Sequence, residues 1–204
     1  MQLPIDPESV KGFLAPEEGA RLYELAKSAS SLGPCLEVGS YCGKSTVYLG
    51  SACRELDQLL FAIDHHRGSE EHQLGEEYHD ADLFDADARK MDSFREFRRT
   101  LDRAGLGDHV VPIVATSALA ARHWNTPLSL VFIDGGHSEA AACADYRSWA
   151  PKIMSGGYLA IHDIFEKPED GGRAPYHIYQ LALASGLFEA LTTTHTLGVL
   201  RRLG

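Results

Sequence analysis

Residues 35–46 read Cys35-Leu36-Glu37-Val38-Gly39-Ser40-Tyr41-Cys42-Gly43-Lys44-Ser45-Thr46, and this stretch decides the fold. A short apolar run leads into a loop bounded by two glycines, and a helix-like segment continues to residue 54. This order predicts a strand, a tight loop and a helix. A second apolar run at residues 59–63 ends in Asp64 and is long enough only for a buried strand.

The rest of the chain repeats this alternation of apolar runs and helical patterns. Apolar runs occupy residues 110–114, 128–133 and 157–161, and helical patterns occupy residues 91–104, 117–123, 138–149 and 176–184. Because parallel strands need crossover connections, the alternation predicts an α/β fold: a Rossmann-like, doubly wound, mostly parallel sheet with helices on both faces. Residues 188–200 predict a C-terminal antiparallel hairpin. We expect one domain over residues 1–204, with N-terminal helices in residues 1–33.

Composition and charge narrow the classes of partner. The 204 residues carry 19 Lys and Arg against 29 Asp and Glu, a formal net charge of −10, which disfavours nucleic acid and anionic lipid surfaces. No stretch approaches the roughly 18 apolar residues of a membrane span. Four cysteines without a C-x-x-C pair favour reduced thiols. We therefore expect a cytoplasmic protein whose partner is a small molecule. A homodimer agrees with its size, since small sheet proteins with long loops often pair.

Three nucleotide-binding motifs compete for the glycine loop. A P-loop needs four residues between its first glycine and Gly-Lys-Ser/Thr, whereas Gly39 and Gly43 enclose only three. A dinucleotide loop needs a second glycine where this sequence has Tyr41. Both patterns fail in detail. A simple strand-to-helix turn is the alternative without any ligand. Lys44 is expected to be a solvated residue of the first helical turn and not a phosphate ligand.

The third pattern is an acid-x-Gly-x-x-x-Gly loop after the first strand, followed by Asp64 at the end of the second. It resembles the S-adenosylmethionine loop of class I methyltransferases. The resemblance implies that Glu37 faces the positive charge of the cofactor, that Gly39 lets its backbone come close, and that Asp64 accepts the ribose hydroxyls. The full set of expected cofactor contacts is Glu37, Gly39, Ser40, Gly43, Asp64, Ser117 and Asp134.

Acidic residues also follow the two later strands of the predicted sheet. Asp134 ends the run at 128–133, and His162 and Asp163 end the run at 157–161. Because neighbouring strand ends meet at one sheet edge, we expect Asp134 and Asp163 to bind a hard divalent cation such as Mg²⁺, with His162 as a softer ligand or as a partner of the ligands. Capping of the following helix or loop is the alternative for each acid.

At this point a more specific resemblance appears. The segments Ile133-Asp134-Gly135-Gly136-His137-Ser138, Gly156-Gly157-Tyr158 and His162-Asp163 are similar to the divalent-metal-dependent sugar O-methyltransferases of the macrocin and mycinamicin type. With the glycine loop, the resemblance covers residues 33–165. It implies that Asp134 is a metal ligand and that His137 is the general base. The family often has two adjacent acids where this chain has His162-Asp163, so Glu166 or a residue of the long loop is a further candidate ligand.

The segment at residues 65–88 is 24 residues long and rich in His, Asp and Glu. Most strand-to-helix loops have about 2–6 residues, so we expect a lid that closes over the site. His66 and Glu70 are the expected contacts to the acceptor. A solvated acidic loop or a dimer contact is the alternative. Similar histidine-rich segments point, by resemblance, to actinobacterial methyltransferases of methylmannose polysaccharides.

These features favour a magnesium-dependent sugar O-methyltransferase that uses His137 as general base. Two alternatives remain open at this stage. One is a metal-independent methyltransferase for a small phenol or amine, and the other is a non-catalytic nucleotide-binding module.

Overall fold

A computed structural model describes residues 1–68, 80–167 and 169–204 of the chain. Its strands, in chain order, are β1 (Cys35–Val38), β2 (Leu60–Asp64), β3 (Phe84–Asp85), β4 (Lys90–Met91), β5 (Val110–Val114), β6 (Leu128–Ile133), β7 (Ile153–Ile161), β8 (Phe188–Ala190) and β9 (Gly198–Arg202). Its α-helices are α1 (Pro16–Ala29), α2 (Lys44–Glu55), α3 (Phe94–Ala104), α4 (Ser117–Ala121), α5 (Glu139–Trp149) and α6 (Ala174–Ala184).

Seven strands form the main sheet in the order β5, β2, β1, β6, β7, β9, β8. The pairs from β5 to β7 are parallel, whereas β9 pairs antiparallel with both β7 and β8. The predicted mostly parallel sheet and its C-terminal antiparallel hairpin are confirmed. The strand order reverses direction at β1 and β6, so the loops after these two strands open onto the same crevice.

Helices cover both faces of the sheet, as the alternating pattern predicts. One core joins the sheet to α1, α2 and α3, and the second joins its other face to α5 and α6. Alternate residues of a strand enter opposite cores: in β1, Cys35 belongs to the first core, and Leu36 and Val38 belong to the second. Glu37 therefore points toward the face covered by α1 and α2.

The N-terminal region is less helical than its sequence pattern predicts. Its first helical pattern forms only a single 3-10 turn, Pro7–Ser9. The second forms α1, which packs closely on α2 because Gly19 leaves room for the Tyr48 ring; a Cβ at Gly19 would lie 2.3 Å from a ring carbon. This close approach brings the buried Glu18 toward the sheet.

The end of the predicted lid is regular structure in the described residues. A 3-10 turn, Ala81–Leu83, leads into the short antiparallel pair of β3 and β4. Helix α3 consequently begins at Phe94 and not at Met91, because Met91 pairs with Phe84. Among the described residues, no helix combines the length and apolar character needed to cross a bilayer.

Candidate active site

Four strand ends meet at one edge of the sheet and bring the predicted site residues together. Val38 is in register with Ile63 on one side and with Ile133 on the other, and Ile133 is in register with Ile161. The residues that follow these four positions are Gly39, Asp64, Asp134 and His162. Their side chains and loops therefore share one crevice.

The glycine loop uses left-handed backbone at both of its glycines. Gly39 has φ +89° and Gly43 has φ +93°. A Cβ at Gly39 would lie 2.0 Å from the backbone oxygen of Asp134, so glycine is required for the loop after β1 to touch the loop after β6. Tyr41 also has a positive φ, +45°, which is uncommon for a residue with a side chain.

Asp64 holds the glycine loop through its carboxylate. One oxygen accepts hydrogen bonds from the backbone amides of Ser40 and Tyr41 at 3.0 and 2.8 Å, and the other accepts one from the amide of His66 at 2.7 Å. A carboxylate has about four acceptor positions, so these three bonds leave capacity for one more donor. If Asp64 also bonds a ribose hydroxyl, as expected, the same carboxylate would hold both the loop and the ligand.

Glu37 is fully buried and its carboxylate faces α2. The hydroxyls of Ser45 and Thr46 each donate to it at 2.6 Å. Burial raises the pKa of Glu37 to about 7, although the hydroxyls of Ser45, Thr46 and Ser40 oppose the shift. The described partners are neutral, so no cation among them balances the carboxylate.

Two serines that were expected to contact the cofactor occupy different environments. Ser40 is buried, and its hydroxyl lies near Glu37 without a well-oriented hydrogen bond to any described residue, so it is placed to bond a ligand. Ser117 begins α4, and its hydroxyl accepts a 2.7 Å hydrogen bond from the Trp149 indole. Ser117 also favours the charged form of Asp145.

Asp145 is a buried acid that the sequence did not single out. It belongs to α5, and one of its oxygens would lie 2.8 Å from a Cβ at Gly135. Burial raises the pKa of Asp145 to about 6. Asp145 therefore lies directly against the loop that carries Asp134, and a residue larger than glycine at position 135 would collide with its carboxylate.

The site has a second half, formed by the residues that follow β6 and β7, and His162 lies at its centre. Its Nδ1 is 3.2 Å from Asp134 Oδ1 and 3.5 Å from Asp163 Oδ2, and its Nε2 is 2.9 Å from Glu18 Oε2. Burial alone would lower the pKa of His162, but the carboxylates of Asp134, Asp163 and Glu18 outweigh it and raise the pKa to about 12. The ring is therefore an imidazolium that donates to carboxylates on both sides.

Glu18 is the most important residue that sequence analysis missed. Its second oxygen accepts hydrogen bonds from the amide and hydroxyl of Thr196, both at 2.9 Å, in the connection between β8 and β9. Burial would raise the pKa of Glu18, but these bonds and the His162 cation lower it to about 2. Glu18 and His162 are 144 positions apart, so no local pattern links them.

His137 and Asp163 form the outer, more exposed part of the site. His137 Nε2 lies 3.3 Å from Asp163 Oδ2, and the His137 side chain is 34% exposed. Asp163 has a left-handed backbone with φ +58°. Burial would raise the pKa of Asp163, but His162 and then His137 outweigh it and lower the pKa. The arrangement orients an accessible imidazole by a carboxylate, as a general base requires.

The acids of this half suit a divalent cation. Ligand atoms of Asp134, His162 and Asp163 all lie within 4.8 Å of one another, and the two carboxylates are about one-quarter exposed. Carboxylate oxygens that a hydrated ion can reach are the donors Mg²⁺ prefers. The proton on His162 Nδ1 and a cation would compete for the same lone pair, so Asp134 and Asp163 are the better-suited ligands.

His66 is buried and does not support the expected acceptor contact. Its side chain packs on the rings of Phe94 and Phe97, with centroids 5.0 and 5.2 Å away, and its Nδ1 lies 2.8 Å from the Ser93 hydroxyl. Burial lowers the pKa of His66. The ring anchors the start of the long loop on α3. Glu70, the second expected acceptor contact, lies outside the described residues.

Lys44 differs from its predicted solvated state. Its side chain is only 10% exposed and forms a 3.0 Å ion pair with Glu8. Gly12 lies against its methylene chain, since a Cβ there would be 2.9 Å from Lys44 Cβ. The N-terminal segment thus covers the start of α2, and Lys44 is not placed as a phosphate ligand.

Comparisons with known proteins agree with this geometry. The family model described as "Methyltransferase domain" matches residues 36–164, which include all four strand ends. The O-methyltransferase NovP shares the fold with TM-score 0.70 and 16% identity, over 92% of this chain and 80% of that chain. An O-methyltransferase from Bacillus cereus in complex with SAH has TM-score 0.65 and 16% identity, over 94% and 83%.

A third similar structure is TomG from Streptomyces achromogenes, an O-methyltransferase of tomaymycin synthesis in complex with SAM. Its TM-score is 0.64 at 16% identity, over 94% of this chain and 82% of that chain. At such low identity these structures establish a common fold.

Proposed function

This chain belongs to the family of methyltransferase domains, and on that premise we propose that it is an S-adenosylmethionine-dependent O-methyltransferase. Its acceptor is a hydroxyl of a sugar or oligosaccharide, its cation is Mg²⁺, and its general base is His137. The observation that carries the proposal is the convergence of Asp134, Asp163 and His137 at adjacent strand ends, beside a glycine loop with a buried acid.

The first half of the site suits a positively charged cofactor. S-adenosylmethionine supplies an activated methyl group on a sulfonium centre and also carries an ammonium group. Glu37 offers it a buried carboxylate whose described partners are neutral, so a cationic ligand would relieve the cost of burying that charge. The Ser40 hydroxyl and the remaining acceptor capacity of Asp64 suit its polar groups.

The second half suits a hydroxyl acceptor. A bound divalent cation supplies positive charge that lowers the pKa of a nearby hydroxyl, and Asp134 and Asp163 would hold it. His137 would accept the hydroxyl proton as the acceptor oxygen bonds to the methyl carbon and the carbon–sulfur bond of the cofactor breaks, which leaves S-adenosylhomocysteine as the second product. Asp163 keeps the imidazole oriented and stabilises its charge after protonation. Most of the rate enhancement then comes from positioning and electrostatics.

Methyl transfer from labelled S-adenosylmethionine to a panel of mannose oligosaccharides tests this proposal. We expect transfer that stops with a chelator and returns with Mg²⁺. His137→Gln should lower kcat by about a hundredfold to ten-thousandfold, the range for a general base, whereas the exposed His123→Gln serves as the matched control. Asp134→Ala should abolish the response to Mg²⁺.

Three results would contradict the parts of the proposal separately. Full activity after chelation would contradict the need for a cation, and an unchanged kcat in His137→Gln would contradict the role of His137 as general base. Absence of S-adenosylmethionine binding by calorimetry removes the methyltransferase activity as a whole.

A metal-independent methyltransferase for a small molecule is the second candidate. The observation that favours it is the His162 imidazolium, which already places a positive charge between Asp134 and Asp163. Under this alternative the two acids shape the pocket, and activity on phenols or amines would survive chelation.

A further inference from the structure

A second group of metal-binding side chains lies outside the candidate active site, between α5 and α6. Glu139 and Cys143 are one turn apart on α5, and His177 belongs to α6. Glu139 Oε1 contacts His177 Nδ1, and Cys143 Sγ donates to the same oxygen at 3.4 Å. All three ligand atoms lie within 4.8 Å of one another.

The donor types indicate which cation would bind. A thiolate, an imidazole and a carboxylate are the ligands that Zn²⁺ takes, whereas Mg²⁺ selects oxygen. Bonds of about 2.0–2.3 Å in a tetrahedral site place the donors about 3.3–3.7 Å apart. The distance between Cys143 Sγ and Glu139 Oε1, 3.4 Å, lies in that range, whereas His177 Nδ1 would have to move away from Glu139 to admit the ion. Glu139 and His177 are exposed, so an ion reaches them without opening the core, and water can fill the fourth position.

We propose that Glu139, Cys143 and His177 form a site for a borderline divalent cation of the zinc class, separate from the candidate catalytic cation. Binding forms a metal–sulfur bond and a metal–nitrogen bond, and it releases to solvent both the thiol proton and the proton that His177 Nδ1 shares with Glu139. The ion takes the place of the hydrogen bond and the ion pair that now hold the three side chains together.

The charges around the Cys143 thiol favour a thiolate only when a cation is bound. Burial and the neighbouring Glu139 carboxylate raise the pKa of Cys143, and Arg147 opposes them. The thiol therefore stays protonated beside the acid. A divalent cation between them reverses this effect, since it stabilises the thiolate and the carboxylate together.

The position of the cluster links it to the candidate active site. Glu139 opens α5 directly after the loop that carries His137, and Pro175 and Ile178 on the first turns of α6 line a cavity with Asp134, His137 and His162. A cation on the cluster would tie together the first turns of the two helices that flank this cavity.

Protection of Cys143 from alkylation tests the site directly. All four cysteines are among the described residues, and Cys35, Cys42 and Cys53 are buried, so Cys143 should react before the other three once the pH is high enough to form its thiolate. Intact mass measured against time, with Zn²⁺ or Mg²⁺ added, gives its reaction rate. We expect Zn²⁺ at ten times its dissociation constant to slow the reaction about tenfold, because only the metal-free fraction reacts.

Matched variants separate this site from zinc bound elsewhere. Cys143→Ser should remove the fast reaction, and His177→Gln should keep the fast reaction but lose most of the protection. Co²⁺ should give thiolate-to-cobalt absorption in the wild type and not in Cys143→Ser. A rate that Zn²⁺ does not change, or equal protection in His177→Gln, would overturn the proposal, and neither result depends on methyl transfer.

Discussion

Glu18 and Glu37 are two buried glutamates at the same edge of the sheet, and their environments are opposite. Glu18 is 2% exposed and Glu37 is 0% exposed. Glu18 bonds to a histidine cation, and its pKa falls to about 2. Glu37 bonds to hydroxyls, and its pKa rises to about 7.

Burial raises the pKa of both carboxyls, and the charge of the partner decides that the pKa of Glu18 nevertheless falls. Hydroxyl groups satisfy the hydrogen bonds of a carboxylate but leave its charge in a low-dielectric surrounding, whereas an imidazolium balances it. In the half of the site around β6 and β7, His162 therefore compensates Glu18, while the charges of Asp134 and Asp163 leave room for a further cation. In the half of the site around β1, the carboxylate of Glu37 has no cationic partner among the described residues, and a positively charged ligand would balance it.

The largest expected effect comes from breaking the compensated pair. Glu18→Gln leaves the His162 cation with one carboxylate fewer, and removing one partner of a buried ion pair costs about 3–5 kcal/mol of unfolding free energy. Urea denaturation measures the loss, and Glu17→Gln on the exposed face of α1 is the control.

The pH dependence of the pair follows from its pKa shifts. The lowered pKa of Glu18 contributes stability above pH 4.5 that is lost as the pH falls toward about 2. The raised pKa of His162 contributes stability below pH 6.5 that declines as the pH rises toward about 12. If Glu18→Gln unfolded with the same free energy and pH profile as the wild type, the pair would have no stabilising role.

Neutralising Glu37 should raise the free energy of unfolding, which is the opposite of the effect expected for Glu18. Glu37 should contribute a loss of about 3 kcal/mol of stability to the wild type as the pH rises from 4.5 to about 7, because folded Glu37 binds its proton more tightly than the unfolded chain does. Glu37→Gln removes that slope and should stabilise the ligand-free protein above pH 7, while weakening S-adenosylmethionine binding.

Urea denaturation at pH 5 and pH 8, with calorimetry of the cofactor, checks the Glu37 variant. Glu24→Gln, on the exposed face of α1, is its control. A variant that is less stable than the wild type at pH 8, or that binds the cofactor equally well, would show that Glu37 already has a compensating partner.

The smallest expected effect is at Asp64, whose three hydrogen bonds all come from backbone amides. Asp64→Asn replaces one acceptor oxygen by a donor, which should cost about 1–3 kcal/mol. Hydrogen exchange at the amides of Ser40 and Tyr41 should accelerate relative to Asp108→Asn. Unchanged exchange at both amides would mean that the carboxylate does not hold the loop.

Most of the sheet could be predicted because its signals are local. A buried parallel strand is a continuous apolar run, and the runs at 35–38, 110–114 and 128–133 match strands as predicted. Pro151 ends α5 at Trp149, as its missing amide requires. The start of β7 at Ile153, before two glycines, was missed because glycines weaken a strand pattern.

Site residues were predictable where position along a strand defines them. Asp64, Asp134 and Asp163 lie at neighbouring strand ends, as predicted, because the ends of parallel strands meet at one edge of the sheet; their roles stay predictions. His66 was expected to contact the acceptor and Lys44 to be solvated, but both are buried, since packing against α3 and the N-terminal segment decides their exposure. Polarity of a side chain alone does not report which element covers it.

The sequence by itself determined the alternation of strands and helices, the glycines of the loop after β1, and which acids stand at the strand ends. Those features depend on steric and hydrophobic preferences that act within a few residues. Only the tertiary structure decided that Glu18 reaches His162 and that hydroxyls surround Glu37. Charge compensation depends on distances between groups far apart in the chain, and folding alone sets those distances.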